Sequence, residues 1–158
     1  MRALVIAAML LGGGALAADA VAAENRVVTC KTRTAGKAGA YAGPALVANV
    51  PKSMTPIDLN AVQFTDKGLT KQVIVEGLFA RRTETDTVEV TARLINCTDS
   101  PLHVQARSSF MDEAQAPTEP TSMWSRVVIP ARGTGVYRER SMSRDGVQYY
   151  LIELAGAP

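Results

Sequence analysis

With 158 residues, 17 basic against 15 acidic side chains and a net charge of +2, the chain lacks the basic excess of a nucleic-acid binder. Two cysteines, one histidine and an aromatic content of 5 % leave little material for a metal cluster, a histidine-based catalytic set or a sugar-binding platform. The length suits one domain with one core.

Residues 1–23 (MRALVIAAMLLGGGALAADAVAA) read as a signal peptide: one early charge at Arg2, an apolar run to Leu11, then small residues. Three small-x-small sites place cleavage between Ala17 and Glu24. The run is short for a span of about 20 residues and ends in glycines, so no membrane span is expected after cleavage. The expected location is periplasmic or secreted. Losing Arg2 and Asp19 removes one charge of each sign and leaves the net charge unchanged.

Residues 24–30 (ENRVVTC) suit a short first strand that ends at Cys30. Cys30 and Cys97, an even count behind an export signal, predict one disulfide. Closing a loop of roughly 68 residues stabilises by about 4 kcal/mol in the chain-entropy account. From 31 to 60, Gly36, Gly39, Gly43, Pro44, Pro51 and Pro56 punctuate the chain too often for a long element. A linker or loop is expected there, with a brief edge strand at 45–50.

Regular structure resumes at Ala61, with a turn at Asp66-Lys67-Gly68. Residues 71–82 (KQVIVEGLFARR) are rich in β-formers, but their facing is ambiguous and a short helix stays open. The clearest stretch is 86–112. Val88, Val90, Ala92 and Leu94 share one face, and Leu102, Val104, Ala106, Ser108 and Phe110 share another, a strict period of two. Asn96, Asp99, Ser100 and Pro101 lie between them and predict a β-hairpin turn. Two prolines make 114–121 an exposed loop, and strands follow at 123–129, 136–142 and 147–154. Asp145-Gly146 marks a tight turn between the last two. Six or seven strands without a convincing helix predict an all-β sandwich over 61–158, completed by one strand from 24–30.

The run VEVTARLINCTDSPLHVQARSSFMD, then Trp124, VVIPARG and a closing YLIEL strand, resembles the YcfL-like family of small bacterial envelope proteins. The matching positions are Asn96, Arg107, Phe110, Asp112, Trp124 and Pro130, within about residues 70–154. The resemblance implies an immunoglobulin-like β-sandwich of about six to eight strands with no established activity. Such proteins usually carry a lipid on a cysteine at the mature start. Here Val27-Val28-Thr29 precedes Cys30 instead of a lipobox, so a lipid anchor is not expected.

Chemistry is hard to place. His103 falls with Gln105 and Arg107 on the outer side of its strand, the position of a solvent-facing residue and not of a base. Asp112-Glu113 and the Glu84/Asp86 pair lack the spacing of a calcium loop. Arg107 and Asp112 suit a structural ion pair, and Arg81-Arg82 a solvated strand face. No catalytic residue, metal site or cofactor is therefore expected, and the chain is read as a non-enzyme. Trp124, Tyr149, Tyr150 and Arg107 remain as possible interface residues, because Trp, Tyr and Arg concentrate where proteins meet. The expected function is a protein-binding, accessory or structural module of a bacterial envelope assembly. The alternative is a ligand- or glycan-binding domain using Trp124 and the 114–121 loop.

Overall fold

The computed structural model describes Cys30, the backbone of Ala45–Leu46 and Thr55–Pro56, and residues 61–157. The signal stretch, the strand expected within 24–30 and most of 31–60 lie outside the described residues. Among the described residues nine strands follow in chain order: β1 (Ala45–Leu46), β2 (Thr55–Pro56), β3 (Val62–Phe64), β4 (Val73–Arg82), β5 (Val88–Asn96), β6 (Leu102–Met111), β7 (Ser125–Ile129), β8 (Thr134–Arg140) and β9 (Tyr149–Gly156). They form two sheets. The first runs β7-β6-β9, with β1 and β3 along the far side of β9, and the second runs β2-β4-β5-β8. Among the described residues no helix is long and apolar enough to cross a membrane.

The alternation in 88–94 and 102–110 holds, but its interpretation as a hairpin does not. Val88, Val90, Ala92 and Leu94 are fully buried, as are Val104 and Ala106. Yet β5 belongs to the second sheet and β6 to the first, so the two face each other across the core without pairing. Residues 97–101 arch from one sheet to the other. Asn96, fully buried, holds that arch. Its Nδ2 donates to the carbonyls of Ser100 (2.7 Å), Pro130 (3.0 Å) and Ile129 (3.2 Å), while its Oδ1 accepts from the Thr98 N–H at 2.8 Å. Asp99 takes a two-pronged ion pair from Arg132, nearest contact 2.7 Å, which lashes the arch to the next turn from outside. The Cys30–Cys97 disulfide fastens the N-terminal segment to the same corner, with Cα atoms 5.6 Å apart.

A bulge explains the ambiguous facing of 71–82. The β4–β5 register shifts between Val75 and Gly77, which reverses the inward parity from even spacing off Val73 to Leu78, Ala80 and Arg82. Arg81 points out and bonds Glu89. Arg82, expected on a solvated face, instead turns in and donates to the Val147 and Asp86 carbonyls. The inner faces also carry Phe110, Ile129, Tyr150, Ile152 and Leu154, all at most 1 % exposed. Burying each such side chain contributes about 1.5–3 kcal/mol.

Candidate functional site

β7 and β8 each end one sheet, on the same flank of the sandwich, and among the described residues no further strand pairs with either. Gly135 brings them together at one end. A Cβ there would stand 2.8 Å from Ile129 Cγ1 and 3.0 Å from Val127 Cγ1, so only glycine permits the approach. Toward the other end the edges part, because residues 117–124 form an irregular strap along β6. Between the pairs Ala106–Ser125 and Met111–Pro117 the strap advances eight residues where β6 advances five. Two of the three surplus residues fall between Thr118, bonded to Phe110, and Ser122, bonded to Ser108. The third falls between Ser122 and Ser125, the stretch that carries Met123 and Trp124.

Each of these side chains takes a different side of the strap. The Trp124 ring lies on the outer face of the first sheet, with the Arg107 guanidinium carbon 4.4 Å from its centroid, within cation–π range. Arg107 is itself held by Glu153 on β9, through Nε (2.6 Å) and a second nitrogen (3.1 Å). The Glu153 hydrogen bond pushes the Arg107 pKa further up against the opposing effect of burial, so this cation does not titrate. Trp124 keeps 38 % of its surface exposed. Met123, 87 % exposed, borders a groove of about 350 Å³ whose opposite wall is Glu139, Arg140 and Met142. Glu119, Pro120, Thr121, Ser122 and Ser125 complete the lining. The Glu119 carboxylate accepts from the Ser143 N–H at 2.6 Å and joins the two walls.

A small hydroxyl cluster lies beside the groove. Tyr137 and Ser108, on opposite sheets, share a hydrogen bond of 3.0 Å, and Ser122 Oγ accepts from the Ser108 N–H at 2.8 Å. Burial pushes the Tyr137 phenol up, so it stays protonated and serves as a strut between sheets. On the outer face of the second sheet, Glu89 lies between Arg81 (2.7 Å) and Arg140 (3.1 Å). Burial alone would raise its pKa, but those hydrogen bonds, with the charges of Arg81 and Arg138, outweigh it and hold the carboxyl below its ordinary value.

Three of the four expected interface residues reach the surface. Trp124 and Arg107 are in contact, and Tyr149 is half-buried on the outer side of β9, paired with Met111. Tyr150 is not available: it is fully buried and shares the inward parity of Ile152 and Leu154. The expected Arg107–Asp112 pair is also corrected. Positions an odd number apart on one strand point to opposite faces, and Asp112 instead closes a turn by accepting from the Ala116 N–H. His103 is exposed opposite Val128. Among the described residues no group of three or more His, Cys, Asp or Glu could hold a metal ion. Met123, Met142 and Glu153 were missed by sequence reasoning. The apolar pair Met123-Trp124 between serines was a usable signal for the first, whereas Glu153 needed the β6–β9 register.

No family model and no curated protein matches the chain. Among solved structures it is similar to Campylobacter jejuni cj0090, at 12 % identity over 52 % of this chain and 85 % of that one, with a TM-score of 0.45. It is also similar to a DUF1425 family member from Shewanella sp. pv-4, at 13 % identity over 73 % of this chain and 98 % of that one, with a TM-score of 0.48.

Proposed function

We propose that this chain is an exported, YcfL-like, non-catalytic β-sandwich that works by binding another protein of the bacterial envelope, as an accessory or structural subunit there. The observation that carries the reading is Trp124. It is a large ring at a sheet edge, held in place by Arg107 and Glu153, with Met123 exposed beside it. A ring already immobilised loses little rotamer entropy on binding, and methionine adapts its shape to a partner. The serine and tyrosine hydroxyls beside the groove bond one another and have no histidine with them. Export is supported by the apolar, small-residue N-terminus, and an oxidising location suits the Cys30–Cys97 bond. The glycan-binding alternative has less support, since Arg107 covers one face of the indole that would stack on a sugar.

The test is site-specific photo-cross-linking in living cells. A photoreactive residue at position 123 should give a discrete adduct with one envelope protein, whereas the same residue at His103 gives none. Absence of any adduct from 123 at native abundance would overturn the reading. Intact mass of the exported protein checks the rest: the mature chain should begin between Ala18 and Glu24.

A further inference from the structure

β8 ends the second sheet, and among the described residues no strand pairs with its outer edge. The Ser141 N–H donates to the Val88 carbonyl at 2.8 Å, and bonded pairs of an antiparallel ladder recur at every second residue. Gly135, Tyr137 and Glu139 therefore direct their backbone groups toward β5, and Thr134, Val136, Arg138 and Arg140 direct theirs outward. Among the described residues only the Arg140 N–H finds a partner there, the Glu139 carboxylate at 3.1 Å. The edge from Thr134 to Arg138 has no proline, and its register with β5 runs without a shift. β7 differs: it is five residues long, followed by Pro130 and preceded by the bowed strap, devices that discourage strand addition.

The outer face beside this edge is electrically one-sided. Arg81, Arg93, Arg138 and Arg140 stand there against Glu76 and Glu89, and both acids are already engaged: Glu76 by Arg93 at 3.0 Å, Glu89 by Arg81 and Arg140. Arg138 has no ion pair among the described residues, and Val136 beside it is 52 % exposed. We infer that β8 is the docking edge for an extended acidic segment of a protein partner, which adds a fifth strand to the second sheet and sets carboxylates against Arg138 and Arg140. The backbone ladder supplies affinity, and the arginines select the charge. Where β8 ends at Arg140, the groove between Met123 and Met142 receives one apolar side chain of that segment. A second copy of this chain is a poor occupant, because pairing β8 with itself brings two arginine-rich faces together. The inference rests on the protein-binding reading and specifies the form of its partner.

The test uses the full exported chain, isotope-labelled, with a capped decapeptide of alternating Glu and Val and a Lys/Val peptide as its control. The Glu/Val peptide should slow exchange of the Val136 and Arg138 amides at least tenfold, and Arg138→Glu should weaken binding at least tenfold. The Lys/Val peptide should do neither. The assignment is overturned if millimolar Glu/Val peptide leaves these amides unprotected, if both peptides protect them equally, or if they are protected without peptide by self-association. In cells, a position-123 adduct that persists undiminished in Arg138→Glu would overturn the β8 assignment and leave the protein-binding reading standing. Loss of the adduct in every background would remove both.

Discussion

The corner at Asn96 and the flank at Trp124 are both polar clusters that border β6, and they are built in opposite ways. At the corner, the Asn96 amide reaches three backbone carbonyls, is fully buried, and sits beside the disulfide. On the flank, Arg107 reaches Glu153 and Trp124, Ser109 reaches Thr121, and each group stays partly in water. Side chains that satisfy backbone cannot be removed without leaving orphaned carbonyls or N–H groups. Side chains that satisfy one another at a surface can be removed at little cost, which leaves them free to serve recognition. The corner therefore specifies the fold, and the flank is the surface we propose for recognition.

The comparison can be pressed in order of effect. Converting Cys97 to serine removes the loop closure at the corner and should lower stability by about 4 kcal/mol in urea denaturation. Asn96→Ala removes the buried amide that joins the arch to the Ile129–Pro130 turn and leaves the Thr98 N–H without its acceptor. The Pro130 and Ser100 carbonyls keep the Gly133 N–H and the Thr98 hydroxyl, and the expected loss is about 3 kcal/mol by the same measurement. Gly135→Ala tests the pinched end of the flank. Its Cβ would force Ile129 and Val127 aside, at about 2 kcal/mol. A loss below that of a surface substitution would mean the edges can simply part.

Glu89 gives a pH test. Its folded pKa lies below the unfolded one, so its contribution is complete above the ordinary carboxylate range near pH 4 and fades as pH falls through the lower folded value. The parent should lose stability more steeply than Glu89→Gln on acidification, and identical acid limbs would contradict the Arg81–Glu89–Arg140 geometry. Smallest of all, Trp124→Ala should cost less than about 1 kcal/mol, as expected for a surface side chain with one cation–π contact.

What could be read from residues follows from the kind of information alternation carries. Period two in 88–94 and 102–110 says which face of each strand is buried, and that reading holds. It does not say which strand lies beside which, so a five-residue connection with Asp99, Ser100 and Pro101 fits an arch as well as a hairpin. The choice is made by Asn96 capturing the Ile129 and Pro130 carbonyls, a contact more than thirty residues away in sequence. In β4 the alternation itself breaks at the Val75/Gly77 bulge, which hid the inward turn of Arg82. Tyr150 was misassigned to an interface although its parity with Ile152 and Leu154 already pointed inward. The disulfide was legible from the even cysteine count behind an expected export signal. Arg107 drew notice as an interface candidate, but its partner Glu153 lies 46 positions away and only the β6–β9 register brings the two together.

Cross-linking yield from position 123 in Trp124→Ala, set against the same protein's denaturation midpoint, tests most directly whether fold and recognition are separated in this way. We expect the adduct to vanish while the midpoint stays near that of the parent. An undiminished adduct in a protein that folds as before would contradict the assignment of recognition to this flank.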